Sequence, residues 1–263
     1  MSKDDYICQQ ILLTNDDGID AAGLHTLSKI AERLAPEIWI VAPAFEKSGA
    51  SQCVSLHKTV KFNRRSEQIY AVDGTPADCV AIACGHLMKR ARPDLILSGV
   101  NNGPNLGTES VFSGTVGAAM TGLLFDIPSV ALSLARKKEH QAPLHWETPL
   151  EIAPELIRKL FISGWRQDTC LNINFPDIPS HEIRDTVITQ QGQGRFNGFS
   201  VVNETFNDNN GSCEIVLRHK DLLTEDNTDS SAIADKNVAI TPLHFNRTSN
   251  LSLDNLSHLK FIS

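Results

Sequence analysis

Two rhythms of apolar residues alternate through the first half of the chain. Continuous apolar runs cover residues 6–13, 37–42, 94–99 and 129–134, and each stops at a polar or proline-bearing loop. Runs this short, without polar alternation, predict strands buried on both faces. Helical spacing fills the gaps between them. Leu24, Leu27, Ile30 and Leu34 fall on one stripe of a helix predicted over residues 22–34. Pro76 opens a second helix through Met88, since proline is tolerated in the first turn. A small-residue helix follows over residues 114–124 and another over residues 149–161. Residues 59–63 and 68–72 read as a short β pair. Such alternation predicts an α/β architecture, doubly wound, with a mainly parallel sheet covered on both faces. Open sheets of this kind bind ligands outside the carboxyl ends of their strands.

The second half has a different pattern. Residues 187–204 carry Gly192, Gly194 and Gly198 among alternating apolar positions, and residues 213–217 read as another strand. Asn207-Asp208-Asn209-Asn210-Gly211 between them is a turn signal. Residues 224–231 read as a polar loop, 238–242 as a strand and 250–259 as a terminal helix. One α/β unit over residues 1–263 is therefore expected, with 187–223 as a β-hairpin excursion and 243–263 as a C-terminal segment. The excursion is too long for a mere connection, and a lone hairpin is marginal in water. It is expected to pack on a second subunit and bury Phe196, Phe199 and Val201; folding back on its own chain is the alternative.

Composition narrows the function classes. The 263 residues carry 24 Lys+Arg against 31 Asp+Glu, a net charge of −7. That balance argues against binding a nucleic acid duplex, which needs a basic face. It does not exclude small anions, because one bound cation can reverse the local field. The start, Met1-Ser2-Lys3-Asp4-Asp5, has no apolar run behind a basic region. The uncharged stretch 111–125 is broken by Gly, Ser and Thr and is shorter than the ~20 residues of a membrane span. A cytoplasmic protein without a membrane partner is expected. The six cysteines show no C-x-x-C spacing and read as reduced thiols, mostly in the core.

Three loops carry candidate chemistry. Asn15-Asp16-Asp17-Gly18 ends the first predicted strand. Adjacent carboxylates repel unless a cation lies between them, and hard divalent ions such as Mg2+ and Mn2+ take oxygen ligands. A polar turn whose Asp caps the next helix is the other reading. The loop around Ser48-Gly49-Ala50-Ser51 can offer hydroxyls and N–H groups to an anion or a metal, or be only a turn. Residues 98–107 hold three Asn and three Gly. Asn supplies neutral oxygen ligands. Ser113-Gly114-Thr115 then starts a helix, where unpaired N–H groups favour a phosphate. A tight turn followed by an ordinary cap fits that stretch as well. No GxxxxGK[ST] loop, HExxH pair or dinucleotide glycine spacing occurs.

In order along the chain, these segments resemble the SurE family of survival-protein nucleotidases. The matching text is residues 11–18, Val41-Ala42-Pro43, residues 48–51, residues 74–80, residues 93–107, residues 113–120, residues 171–176 and Ile240-Thr241-Pro242-Leu243. The resemblance implies a Rossmann-like fold with a hairpin and C-terminal segment used in oligomerisation, as a homodimer or homotetramer. It implies a metal-dependent phosphatase acting on nucleoside monophosphates, and in some members on short polyphosphate. The family's ligand pattern falls on Asp16, Asp17, Ser48 and Asn101, which would hold one divalent ion. Asn15, Ser113, Gly114 and Thr115 are then expected to hold phosphate oxygens, with Asp16 or Asp17 also assisting proton transfer. Asn102 stands where the family often has Ala, and residues 196–223 match poorly. A non-catalytic nucleotide-binding regulatory module is the alternative reading.

Overall fold

The computed structural model describes residues 6–136, 143–165, 168–207, 209–220 and 225–259. Eleven strands and six α-helices are present among them. The first strand, β1 (Gln10–Thr14), is joined through helix α1 (Ala22–Ala31) to β2 (Glu37–Pro43). The hairpin strands β3 (Phe62–Arg64) and β4 (Ile69–Val72) follow, then α2 (Pro76–Ile82) and β5 (Leu95–Asn102). Helix α3 (Gly114–Leu123), β6 (Ser129–Ala135), α4 (Glu147–Ser163) and β7 (Thr169–Pro176) complete the alternating part. The remaining elements are β8 (Thr186–Ile188), β9 (Phe196–Phe206), β10 (Gly211–His219), α5 (Asp229–Ala234), β11 (Val238–His244) and α6 (Asn250–Leu256).

Nine strands form one sheet in the order β3-β4-β2-β1-β5-β6-β7-β11-β8. All pairings are parallel except β3 with β4 and β11 with β7. The order reverses between β1 and β5, which leaves the two strands side by side with their connections running in opposite directions. That is the topological switch point of an open α/β sheet.

Apolar runs become strands here because both faces are covered. Ile11, Leu13, Leu95, Leu97 and Leu132 meet α1 and α4 on one side. Leu12, Val41, Val72 and Ile96 meet α2 and α3 on the other. All ten residues of α3 are buried. Its small side chains let it sit tightly on its neighbours. A Cβ on Gly122 would lie 2.1 Å from Ser129 Oγ, and one on Gly117 would lie 2.2 Å from the Ser51 carbonyl oxygen.

Several sequence expectations are revised. The helix expected through Met88 is α-helical only to Ile82, after which a π-turn spans Ala83–Leu87. The excursion expected over residues 187–223 starts later: β8 joins the main sheet beside β11, and β9 pairs with β10 in a separate antiparallel ribbon. The polar stretch from residue 225 is not all loop. Thr228 caps α5 with its side chain, in a capping box with Ser231; residue 224 lies outside the described residues. The terminal helix is shorter than expected, ending at Leu256.

The cysteines are unpaired: Cys79, Cys84 and Cys170 are buried, Cys8 is half-buried, and Cys53 and Cys213 are exposed. Burial pushes the thiols of Cys8, Cys84 and Cys170 up to about 12 and raises that of Cys79 strongly, so these four are inert at neutral pH. Among the described residues no helix is long and apolar enough to cross a membrane.

Candidate active site at the switch point

The carboxyl ends of β1 and β5 carry the acidic pair and the Asn-rich loop respectively. Parallel pairing of Thr14 with Ser98 brings the two loops out side by side. Asp17 turns toward β5, and its Oδ2 accepts the Asn102 backbone N–H at 3.1 Å. Asp16 turns toward α3 and is 4% exposed. Its Oδ1 accepts the Thr115 hydroxyl. Gly114 makes this approach possible, since a Cβ there would lie 2.8 Å from Asp16 Cβ. Asn15 is fully buried, and its Nδ2 donates to the Gly18 carbonyl at 2.8 Å.

The loop after β2 closes the third side. Lys47 N–H donates to the Asp16 carbonyl at 2.7 Å, and Ile19 N–H donates to Pro43 at 2.8 Å. Ser48 is therefore one residue from a direct bond to the acidic turn. Its hydroxyl donates to Glu46 Oε1 at 2.7 Å. Asn101 lies at the end of β5, where its Nδ2 donates to the Gly103 carbonyl at 2.9 Å. Asp16, Asp17, Ser48 and Asn101 thus lie on three loops tied together around one turn.

The electrostatics is that of a site lacking countercharge. Burial pushes the Asp16 carboxyl up to about 6; the Thr115 hydrogen bond opposes this, and the Asp17 charge adds to it. Burial also raises Asp17, against the Asn102 N–H and with help from Glu46. Two neighbouring carboxylates that are both held above their ordinary range favour either a proton or a cation. Buried oxygens without a partner lie close by: Asn15 Oδ1, just past β1, and Ser98 Oγ, in register with Thr14. Among the described residues, no group of three His, Cys, Asp and Glu side chains could hold a metal. An ion here would need two carboxylates and neutral oxygens, a donor set suited to hard divalent cations. The residues present fit such an ion.

The expected phosphate residues have partners of their own. Ser113 Oγ accepts the Val116 N–H at 3.0 Å and caps α3. The Thr115 hydroxyl and backbone N–H both face Asp16. In this structure the anion at the start of α3 is therefore Asp16 itself, placed where a helix N-terminus favours negative charge.

Two further clusters support the site, and only the second has a cue in the sequence. The first is an asparagine cluster beneath the Asn-rich loop. Asn105 N–H donates to Asn174 Oδ1 at 2.9 Å, and its Nδ2 donates to Ser133 Oγ at 2.7 Å. Its carbonyl accepts from Asn172 and Asn174 at 2.8 and 3.1 Å. The second is Asp78, whose carboxylate accepts from Thr75 N–H and from the N–H and hydroxyl of Ser55 at 2.8–3.0 Å. It fixes the far end of the Ser48 loop. The Gly74-Thr75-Pro76-Ala77-Asp78 text was a visible cue, since it spells a helix start with a capping box.

Comparison with known proteins agrees with this geometry. The family model described as survival protein SurE matches residues 11–198. The 5′-nucleotidase SurE 1 of Burkholderia lata is 48% identical over 249 residues, covering 94% of this chain and 95% of that protein. The 5′-nucleotidase SurE of Caulobacter vibrioides is 36% identical, with 94% of each chain covered. The SurE protein of Aquifex aeolicus has a crystal structure that superposes with a TM-score of 0.80 at 30% identity, covering 95% of this chain and 98% of that one. With the acidic turn, the Ser48 loop and the Asn-rich loop all converging at the switch point, and with matches of this extent, the chain belongs to the SurE family.

Proposed function

We propose that the chain is a divalent-metal-dependent phosphomonoesterase that releases phosphate from nucleoside 5′-monophosphates. The observation that carries this reading is the adjacent Asp16–Asp17 pair, both carboxyls raised by burial and without a countercharge, with Asp16 buried against the N-terminus of α3. The names of the relatives from Burkholderia lata and Caulobacter vibrioides, both 5′-nucleotidases, support it.

Asp16 and Asp17 would hold the ion with their charge, and Ser48 and Asn101 would add neutral oxygens. An ion bound there supplies positive charge for the phosphoryl oxygens. With an ion neutralising Asp16, Asn15, Ser113, Gly114 and Thr115 would face the phosphate oxygens at a helix start that favours their charge. Phosphoryl transfer needs positioning and charge more than covalent chemistry. Of the two carboxylates, Asp17 is the more accessible and would be the one to take a proton from water. A cleft of about 510 Å3 lined by Asp20, Phe45, Lys61, Asn63, Arg65 and Asp73 opens between the segment after the acidic turn and the β3–β4 hairpin.

Incubating the protein with nucleoside 5′-monophosphates and Mn2+ or Mg2+ should release phosphate, and a chelator should stop it. Release that persists in excess chelator would overturn the metal dependence. Nucleotide binding without any release would favour the regulatory module.

Assembly forms part of the same proposal. The stem of the ribbon packs on its own chain: Phe112, Phe196 and Phe199 form a cluster with ring centroids 5.2–5.5 Å apart. Further out, one face presents Val201 and its cross-strand partner Ile215, 50% and 69% exposed. An apolar ribbon face of this kind is what a second copy would cover, giving a homodimer or homotetramer. Val201→Asp with Ile215→Asp should shift light-scattering mass toward the monomer and leave Mn2+ binding intact. An unchanged mass would rule this face out as the main contact.

A further inference from the structure

We infer that Asp229 is a positioning residue for hydrolysis, holding the Asn-rich loop against the stem of the hairpin so that the start of α3 is correctly set. This rests on the hydrolytic reading above.

Asp229 is fully buried, far from the acidic pair in sequence, and belongs to none of the three candidate loops. A buried carboxylate is costly unless its oxygens are well satisfied. Its Oδ2 accepts the Gly107 N–H at 2.7 Å, across 122 positions of sequence. Its Oδ1 accepts the Gly192 N–H at 3.2 Å and the Ser230 N–H at 2.7 Å, with the Ser230 hydroxyl at 3.3 Å. Capping α5 does not need this, because Thr228 already does it. The carboxylate instead joins two backbones: the loop running from Asn101 to Ser113, and the stem that leads into β9.

The two backbones pass in direct contact. Gly107 has φ +53°, and a Cβ on it would lie 2.4 Å from Gly194 N. Gln191 Nε2 donates to the Gly107 carbonyl at 2.8 Å and to Ser110 Oγ at 3.0 Å. Thr108 donates to the Gln193 carbonyl through both its N–H and its hydroxyl. From Gly107 a short 3-10 helix, Gly107–Phe112, leads to Ser113, the cap of α3. Asn105 pins one side of this loop to β6 and β7, and Asp229 pins the other. Releasing that second pin frees the segment that sets Ser113, Gly114 and Thr115. Misplacement of about 1 Å at a reacting centre can cost about a hundredfold.

The test uses the full chain, Mn2+, and two substrates: a chromogenic phosphate monoester and a nucleoside monophosphate. Asp229→Asn keeps size and shape but turns one acceptor into a donor facing backbone N–H groups. A fall in kcat of at least about tenfold is expected, with the half-saturating Mn2+ concentration within about threefold of wild type. Gln191→Ala should show a smaller loss of the same kind. A residue serving only stability would lower the melting temperature and leave the kcat of the folded protein unchanged. That result overturns the inference. If Asp229→Asn does not fold, Gly107→Ala decides: it forces the stem off the loop and leaves the carboxylate in place. A lowered kcat in a folded Gly107→Ala protein supports the inference, and wild-type kcat sinks it. Wild-type protein in the same assay separates the two claims, since absence of turnover there would overturn the hydrolytic reading and this inference together.

Discussion

Asp16→Asn should melt higher than the wild type in metal-free buffer at pH 7.5 and should hydrolyse nothing measurable. Both halves follow from one buried carboxyl. Its folded value is raised to about 6 from 3.8, chiefly by burial. A raised carboxylate favours the fold when protonated, so its contribution is full below about 4 and is lost as the pH rises through 6. Above that the ionised group costs the metal-free fold on the order of 3 kcal/mol. Asparagine keeps the shape and the Thr115 contact without the charge. A gain of several degrees in melting temperature is expected for a chain of this size. Added Mn2+ should raise the wild-type melting temperature and leave the variant unmoved. Turnover should fall about a thousandfold or more, roughly 4 kcal/mol of transition-state stabilisation. A variant that melts lower, or that turns over near the wild-type rate in saturating Mn2+, would contradict the assignment of Asp16.

Thr115→Val should raise the Mn2+ concentration needed for half-maximal activity by about tenfold or more, ~1.4 kcal/mol. The sequence suggests that this hydroxyl meets the phosphate, whereas in the folded chain it donates to Asp16. That bond stabilises the ionised carboxyl, so its loss raises Asp16 further from the range in which it can ligate a cation. The acid limb of the pH profile should therefore move to higher pH in the valine variant. Thr115→Ser keeps the donor and should restore both. If the substrate KM rises and the metal requirement stays put, the hydroxyl acts on the phosphate. If neither moves, Thr115 has no part in the site.

The strands and helices up to β6 were legible because each signal is local. A parallel strand buried on both faces must be a continuous apolar run, and the polar loops then fall at the ends where ligands bind. The acidic turn, the Ser48 loop and the Asn-rich loop were visible for the same reason. β7 was harder to read, since Asn172 and Asn174 interrupt its apolar run. Both are buried there, and their amides serve Asn105 across the sheet rather than solvent. Asp229 was hidden for a similar reason. It stands in a polar stretch that reads as loop, and its value comes from Gly107 and Gly192, neither of which is a neighbour in sequence. Thr115 was visible as a site residue, but its partner was not, because the choice between an external anion and Asp16 depends on how closely Gly114 lets the helix approach.

The order of strands in the sheet has a consequence for the order of synthesis. β11 lies between β7 and β8 and pairs with both, antiparallel to one and parallel to the other. Every residue of β7 is buried in the finished sheet. A nascent chain that has emerged only through β8 has made most of this sheet and every side chain of the acidic site. It still shows the open edge of β7, a row of unpaired backbone groups on an otherwise finished core. A chain halted between residue 176 and residue 238 would expose that edge of β7, to which a strand-forming segment nearby would dock before β11 arrives. Premature termination in this interval should yield insoluble chains, whereas loss of the segment after His244 leaves β7 covered by β11.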